Sequence, residues 1–208
     1  MELFITKYSK IENCSLSIDG NVIFESEEET IGKIFKSIYK SLEIKYPKYH
    51  KMDKLCKLGF LTSEAIFKNS NILEQYQAEE IAIILSNSDS TINIDTDYQS
   101  SIKDKNNYFP SPSLFVYTLP NIVIGEIAIR HGIKGEIGFL ISEQFDAQTL
   151  VNYVENVFTD ESIKACLTGW VNVNKKNEYK STLFLIEKAK NSQDNITFDT
   201  RNLETLFK

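Results

Sequence analysis

The residues best suited to covalent or acid–base chemistry are few and far apart. The sequence has three cysteines, Cys14, Cys56 and Cys166, and two histidines, His50 and His131. No two cysteines have CxxC spacing, and no histidine and cysteine stand in a metal-binding pattern. The sequence therefore predicts neither a disulfide framework nor a zinc site, and we expect no cofactor.

The overall charge argues against several kinds of partner. The net charge is -6 and the pI is about 5.1, whereas proteins that bind nucleic acids present clustered Lys and Arg. We interpret the pair Lys175 and Lys176 as a solvated turn. No run approaches the ~18 apolar residues of a membrane span, and the N-terminus does not resemble a signal peptide. We expect a cytoplasmic protein that binds no nucleic acid and has no membrane span.

The helices and strands are predicted from the spacing of apolar residues along the chain. Asp19-Gly20 is a strong two-residue turn signal and predicts an N-terminal β-hairpin from segments 2–11 and 15–24. The polar segment 86–108 is expected to be a long loop. Helical spacing predicts helices over 27–42, 52–68, 118–130 and 146–158, and apolar runs predict strands over 81–85, 137–141, 165–173 and 182–186.

These elements indicate an α/β fold class. Strands that alternate with helices favour a parallel sheet, and the short polar turn between the last two strands favours an antiparallel edge. We predict a mostly parallel, five-stranded mixed sheet with helices, one antiparallel edge strand and the N-terminal hairpin. Residues 1–190 are predicted to form a single domain. Residues 191–208 are predicted to be a polar, loosely held tail, unless Leu203, Leu206 and Phe207 dock.

The segment 111–144 carries a resemblance to a known family. Its sequence, SPSLFVYTLPNIVIGEIAIRHGIKGEIGFLISEQ, is similar without gaps to the part of β-ketoacyl synthases that leads to their active-site cysteine. Lys51-Met52-Asp53 and the run 167–171 resemble neighbouring landmarks, so the resemblance covers most of residues 50–190. It implies one N-terminal half of a thiolase-like fold. The matching anchors are Ser111, Pro112, Asn121, Gly125, Ile129, Gly132 and Gly135.

Counted along this match, the position of the nucleophilic cysteine is occupied by Gln144. An amide has no deprotonable nucleophile at accessible pH, so acyl transfer cannot begin there. The tripeptide 142–144 also resembles that of chain-length factors, the non-condensing partners of polyketide ketosynthases. A second interpretation remains open, in which glutamine is merely tolerated where the nucleophile has been lost. Neither His50 nor His131 matches a catalytic histidine of the family, and both are expected to be surface or cap residues.

The helix after Gln144 is predicted to be buried on one side only. Its polar face carries Gln148, Asn152, Glu155 and Asn156, and burying an unpaired Glu155 would cost more than burying one large apolar side chain gains. This pattern favours a stand-alone half domain. The apolar stripe consists of Leu150, Val151, Val154, Val157 and Phe158.

The resemblance implies a non-catalytic subunit that pairs with a complete ketosynthase and shapes fatty-acid-like, polyketide or aryl-polyene chain elongation. Two alternatives remain: a homodimeric module that binds an acyl chain or acyl carrier protein, and a malonyl decarboxylase that depends on Gln144. In the family, the matching strand and helix form the dimer interface and line the acyl tunnel. The implied interface or tunnel residues are Asn121, Ile124, Gly125, Ala128, Ile137, Phe139, Ile141, Gln144 and Phe145.

The substitution Gln144→Cys is expected not to restore condensation in this chain. A thiol alone is insufficient, because the family's catalytic histidines have no counterpart among the two histidines present. The measurement is mass spectrometry of the products formed from acyl and malonyl carrier proteins. Condensing activity recovered by this single change would show that the resemblance has been misread.

Overall fold

Helices and strands alternate along the chain in a computed structural model, which describes residues 2–104, 106, 108–188 and 196–208. The strands are β1 (Leu3–Glu12), β2 (Ser15–Ile18), β3 (Asn21–Glu25), β4 (Ile81–Asn87), β5 (Ile137–Ile141), β6 (Ala165–Val173), β7 (Tyr179–Lys188) and β8 (Ile196–Thr197). The helices are α1 (Ile31–Ser41), α2 (Lys54–Lys68), α3 (Ile72–Gln75), α4 (Ile92–Ile102), α5 (Pro112–Val116), α6 (Ile122–His131), α7 (Ala147–Val157) and α8 (Thr200–Phe207). Short 3₁₀ turns span Pro47–Lys51 and Ala78–Glu80.

The described strands form one mixed sheet in the order β3-β2-β1-β7-β6-β4-β5, and β8 pairs with β1. The parallel pairs among the described strands are those of β4 with β5 on one side and with β6 on the other. The predicted α/β class is confirmed. The predicted five-stranded, mostly parallel sheet is wrong, because β1, β2 and β3 extend the sheet through antiparallel pairs.

The N-terminal segment is a three-stranded meander and not a single hairpin. The predicted turn at Asp19-Gly20 is confirmed, and it joins β2 to β3. A second two-residue turn at Asn13 and Cys14 separates β1 from β2, and both of its residues have positive φ (48° and 63°). Asn adopts such a conformation readily, but Cys is not a typical turn residue, so this turn has only a weak sequence signal.

Strand β1 contributes to both faces of the sheet because it contains a bulge. Its register against β7 shifts between Ile5 and Lys7, and one extra residue reverses which side chains face each way. Ile5 therefore packs into the core on one face, while Ile11 packs into the core on the other. Strand β1 is internal to the sheet, with β2 on one side and β7 on the other, and it contributes side chains to both cores.

Two hydrophobic cores cover the two faces of the sheet. The first core lies under α1, α2 and α6, and the second lies under α7 and α8. Helix α2 is almost entirely buried in the first core, and its N-cap Asp53 accepts hydrogen bonds from the backbone N–H groups of Leu55 and Cys56. The predicted helices over 52–68, 118–130 and 146–158 are confirmed in outline, whereas the helix predicted from residue 27 begins at Ile31.

Helices α2 and α6 are also joined by a buried charge cluster. Glu64 of α2 lies 2.7 Å from Nε of Arg130 and 3.2 Å from Nε2 of His131. Burial raises the pKa of Glu64, but hydrogen bonds from His131 and Arg130 outweigh this effect and hold the pKa below its ordinary value. The His131 ring is buried against Phe67, with centroids 4.2 Å apart. His131, expected to be a surface or cap residue, is the last residue of α6 and its side chain is buried, whereas His50 is exposed.

The predicted loop over 86–108 is wrong in part, because it contains α4. The side chains of Thr96 and Ser100 donate hydrogen bonds to the carbonyl groups four residues earlier, and Ile94 is buried. Ser, Thr, Asn and Asp have low helix propensity. The helix is therefore stabilised by the burial of Ile94 and by these side-chain hydrogen bonds. Residues 105 and 107 of the predicted loop lie outside the described residues.

The C-terminal segment is packed onto the domain where the structure describes it. Strand β8 pairs with β1, and Phe198 and Leu203 are buried in the second core. Over residues 196–208 the expected loose tail is thus replaced by a docked strand and helix, and Leu203, Leu206 and Phe207 all make contacts. Residues 189–195, which include the predicted domain boundary, lie outside the described residues.

Replacing Gly169 with alanine is expected to destabilise the fold by about 3 kcal/mol. Gly169 has φ +140°, and an added Cβ would lie 2.2 Å from the Thr182 carbonyl oxygen. The measurement is urea unfolding. The matched control is Gly32→Ala in α1, where no atom lies within 4 Å of the added Cβ and stability is expected to stay equal or to rise by up to about 1 kcal/mol. Equal stabilities of the two variants would contradict the close approach of β6 and β7.

Candidate functional site

Gln144 lies in the turn between β5 and α7. The side chain of Ser142 donates a hydrogen bond to the Gln144 carbonyl (2.7 Å), and the Asp146 carboxylate caps α7 by accepting from the Thr149 N–H (2.9 Å). The hydrogen bonds from Thr149 lower the pKa of Asp146. The predicted N-cap is confirmed, and the side chain of Gln144 is exposed at the N-terminal end of a helix.

A shallow cavity of about 390 Å³ opens at this turn. Its lining provides amide, hydroxyl and carboxylate groups, which can accept and donate hydrogen bonds. It contains no cysteine, lysine or histidine to act as a nucleophile. The lining residues are Ser142, Glu143, Gln144, Phe145, Asp146, Ala147, Gln148 and Glu204.

The cysteines are placed away from this cavity. Cys56 is buried in the first core and Cys166 in the second. Burial raises the pKa of both thiols well above the ordinary value, which keeps them neutral. Cys14 lies half-buried in the turn between β1 and β2. None of the three thiols lines the cavity beside Gln144.

An aromatic cluster closes one side of the turn. The rings of Phe145 and Phe207 are stacked, with centroids 3.9 Å apart and planes 13° apart. Trp170 meets both rings edge-on, at 6.0 and 6.2 Å, and Nζ of Lys180 lies 4.2 Å from the centroid of Phe207. Helix α8 is therefore held against the residue that follows Gln144. Trp170 and Phe207 were not predicted to be site residues, because they meet Phe145 only through the tertiary fold.

Helix α7 is buried on one side, as predicted. Its apolar stripe lies in the second core, and Gln148, Asn152, Glu155 and Asn156 are all exposed. Helix α8 packs beside α7, and Thr200 donates a hydrogen bond to the side chain of Gln148 (3.0 Å). The polar face of α7 is thus accessible to solvent, and α8 covers part of the second face of the sheet.

Strand β5 is an edge strand with apolar side chains in solvent. In the described residues it pairs only with β4, and Ile137 and Ile141 are 50% and 56% exposed. Phe139 points to the same face of the strand and is half-buried against the first core. The strand therefore presents both backbone hydrogen-bonding groups and apolar side chains at its outer edge.

Helix α6 and its N-cap expose a second surface, made of Asn121, Gly125, Ala128 and Ile129. Asn121 and Ile129 are exposed, the latter at 66%, and Gly125 and Ala128 are half-buried between them. No atom lies within 4 Å of a Cβ added to Gly125, so the surface there is open. Ile124 points the other way and is fully buried in the first core.

The structure thus divides the predicted site residues into three groups. Gln144 and Phe145 lie together at the cavity. Ile124 is a core residue, and Phe139 lies between core and surface. Whether the remaining five form an interface or a tunnel stays a prediction; they are Asn121, Gly125, Ala128, Ile137 and Ile141.

A buried carboxylate also fixes the position of α6. Glu126 is 4% exposed, accepts a hydrogen bond from the Tyr117 hydroxyl (3.0 Å) and lies 2.7 Å from Nζ of Lys48. Burial and contact with Glu126 raise the pKa of Tyr117. The sequence signal for this network is Glu126 itself, a glutamate within the otherwise apolar run 122–129. Its partners Lys48 and Tyr117 lie in two other segments.

Neither a metal site nor a membrane span is found in the described part of the chain. Within residues 2–104, 106, 108–188 and 196–208, no group of three or more His, Cys, Asp or Glu residues could hold a metal ion. The helices in these ranges are too short or too polar to cross a bilayer.

Solved structures with the same fold are ketosynthases and their partners. The chain matches the ishigamide ketosynthase/chain length factor with a TM-score of 0.66 and 14% identity, over 93% of this chain and 64% of that one. It matches a structure of the ketosynthase ApeO in complex with its chain length factor ApeC from Xenorhabdus doucetiae with a TM-score of 0.57 and 10% identity, over 100% and 90%. A third match is AntDE:AntF, a type II PKS acyl-carrier protein in complex with its ketosynthase, with a TM-score of 0.62 and 12% identity, over 90% and 62%.

These similarities identify an α/β fold that matches part of the ketosynthase fold. The chain spans less than two thirds of the length of the first and third matched chains. No protein-family model and no curated protein matches the sequence. The expected resemblance to ketosynthases and chain length factors is therefore confirmed at the level of the fold.

Replacing Phe207 with alanine is expected to loosen α8 from the turn that carries Gln144. Loss of the stacked ring should lower the free energy of unfolding by about 1–2 kcal/mol. It should also shift the emission of Trp170, the only tryptophan, to longer wavelength. The control is Phe109→Ala, because Phe109 is 77% exposed. Identical emission from the two variants would contradict the aromatic cluster.

Proposed function

We propose that this chain is a non-catalytic, ketosynthase-like subunit that pairs with a complete ketosynthase and shapes the elongation of an acyl or polyketide chain. The observation that carries the proposal is the open edge of β5 directly before Gln144. This subunit would supply binding surface, and its partner would supply the nucleophile and the catalytic histidines.

The chemistry at the cavity supports a role without catalysis. Covalent catalysis of acyl transfer requires a thiolate or an equivalent nucleophile beside a base. The position that would carry it holds an exposed amide, and the raised pKa values of the Cys56 and Cys166 thiols keep both neutral within the cores. The cavity therefore fits hydrogen bonding to a bound group better than attack on one.

The exposed apolar surface supports pairing with a second protein. An unpaired edge strand with exposed Ile137 and Ile141 would otherwise be an aggregation site. Burying the exposed half of each isoleucine contributes only about 1 kcal/mol, and a stable interface buries roughly 1,600 Å² in total. More surface must therefore take part. Exposed apolar residues in and between α5 and α6 include Phe115, Val116, Leu119 and Ile129.

Phe139 is the side chain best placed to limit an acyl chain that reaches this interface. It shares a face of β5 with Ile137 and Ile141, and it is only half-buried. Ile124, the other bulky candidate, is enclosed by the first core. We therefore assign the limiting role to Phe139 and not to Ile124.

The same open edge also fits a second copy of this chain. Edge strands pair with identical strands as readily as with related ones, since the hydrogen bonds involve the backbone. A homodimer that binds an acyl chain or an acyl carrier protein is therefore the second candidate. Co-expression with a complete ketosynthase separates the two candidates, because only one protein can occupy the edge of β5.

Replacing Ile141 with aspartate is expected to weaken the complex at least tenfold, since a charge would be buried at its centre. The measurement is co-purification of the tagged chain with a co-expressed complete ketosynthase, followed by analytical ultracentrifugation. The matched control is Val22→Asp on β3, at the opposite edge of the sheet, where Val22 is 59% exposed.

Three results would reject the proposed function. The first is a wild-type chain that elutes alone and leaves the length of the ketosynthase's product unchanged. The second is a complex that Ile141→Asp and Val22→Asp weaken equally. The third is a dimer of this chain that persists in the presence of the ketosynthase, which would favour the homodimeric module.

A further inference from the structure

A cavity of about 570 Å³ opens beside α3, at the end of the sheet opposite to Gln144; we call it the α3 cavity. Its walls are residues 68–72 at the end of α2, helix α3, and the strands β1 and β7. Glu187 in its lining pairs with Ala165 at the start of β6, whereas Gln144 follows the end of β5. The volume is typical of small-molecule sites, which span about 300–1,000 Å³.

A nearly buried carboxylate orders the polar groups of the α3 cavity. Glu187 is 8% exposed, and its Oε2 accepts a hydrogen bond from the Thr6 hydroxyl (2.7 Å). Its Oε1 accepts from the Tyr76 hydroxyl (3.0 Å) and from the side-chain N–H of Gln75 (3.3 Å). The register of β1 against β7 skips Thr6, and a bulge of this kind re-aims a side chain. Because Thr6 and Gln75 donate to Glu187, their oxygen atoms remain available as acceptors.

Other side chains of the lining have hydrogen-bonding groups that the fold does not use. The Ser70 hydroxyl oxygen is buried and has no hydrogen-bond partner within the described residues, and such a group is destabilising unless something satisfies it. Asn71 precedes α3 but does not cap it through its side chain. Asn69 donates from Nδ2 to the Ala65 carbonyl (2.8 Å) and keeps Oδ1 as an acceptor. The α3 cavity therefore offers both donors and acceptors from neutral groups.

The charges around the α3 cavity cancel. Lys7 forms an ion pair with Asp19 (2.9 Å), and the ammonium group of Lys68 donates to the Leu42 carbonyl. Lys68 and Glu187 carry single charges of opposite sign. An anionic ligand would meet the carboxylate and a cationic ligand would meet the lysines, and like charges brought together oppose binding. The lining therefore favours a neutral ligand.

The lining also has an apolar part. Ile72 and Leu185 contribute to it and are each 1% exposed, so they are rigidly packed. A ligand that matches the whole lining has hydroxyl groups, which donate and accept equally, together with an apolar C–H face. A sugar ring combines these two properties.

We propose that the α3 cavity binds a neutral sugar of one or two rings. Ser70 and Asn71 donate hydrogen bonds to its hydroxyl groups, and Thr6 and Gln75 accept hydrogen bonds from them. Glu187 is a positioning residue, because it holds Thr6 and Gln75 in place. The site lies at the other end of the sheet from Gln144, so its occupancy does not depend on the pairing partner proposed above.

The test uses the full chain and saturation-transfer difference NMR. The neutral probes are glucose, galactose, mannose, maltose and sucrose, and the charged probes are glucose 6-phosphate and glucosamine. The wild-type chain is expected to bind at least one neutral probe with a dissociation constant of about 10 mM or less, as suits a small polar ligand. Both charged probes are expected to bind more weakly than the best neutral probe.

The double variant S70A/N71A removes the two unused donors and is expected to weaken binding of the best neutral probe at least fivefold. Its midpoint of urea unfolding should equal that of the wild type, since neither side chain makes a hydrogen bond in the described part of the chain. The matched control N156A/S162A changes the same residue types at exposed residues in and after α7, and it is expected to lose less than twofold.

Three results would overturn the proposal. The first is that none of the five neutral probes binds the wild-type chain. The second is that S70A/N71A and N156A/S162A lose affinity equally, which would place the bound sugar outside the α3 cavity. The third is that a charged probe binds more tightly than every neutral one.

Discussion

The parallel pairing of β4 with both β5 and β6 is the constraint on which the candidate site depends. Strand β4 is buried along its whole length, and its register places Asn87 beside Ile141, so that the chain leaves the sheet just before Gln144. The Ser142 N–H donates to the Asn87 carbonyl (3.0 Å), which extends this register past the end of β5. The position of Gln144 is thus set by backbone pairing and not by contacts of its own side chain.

The same pairing leaves β5 at the edge of the sheet. A parallel strand at an edge is normally covered by helices on both faces, yet Ile137 and Ile141 remain in solvent. Helix α6 is tied to α2 through Glu64 and to Lys48 through Glu126, and both carboxylates are buried. These contacts hold the exposed small residues of α6 on a helix that is anchored in the first core.

Much of the fold could be predicted from the sequence where the signal is local. Strand β4 is an apolar run, Asp146 is an N-cap at a fixed offset, and Gly132 ends α6 in the left-handed conformation. The errors concern contacts between distant segments. Strand β1 joins the sheet by pairing with β7, whose partner residues lie 170 to 185 positions away, and no local pattern shows that pairing.

The candidate site was predictable to a similar degree. Gln144 was located by counting along the resemblance to β-ketoacyl synthases, and the polar face of α7 follows from helical periodicity. The aromatic cover formed by Trp170 and Phe207 required α8 to fold back onto Phe145. The charged network of Glu126 required Lys48 and Tyr117 from separate segments. The aromatic cover and the Glu126 network both depend on contacts between distant segments, which residue types alone do not reveal.

The central claim is that the outer edge of β5 pairs with another protein. Amide hydrogen exchange of residues 137–141, with and without the complete ketosynthase, tests it most directly. We expect exchange of these amides to slow by at least tenfold in the complex, while exchange of the β3 amides at the other edge is unaffected. Unchanged exchange along β5 in a complex that has formed would show that the partner binds elsewhere.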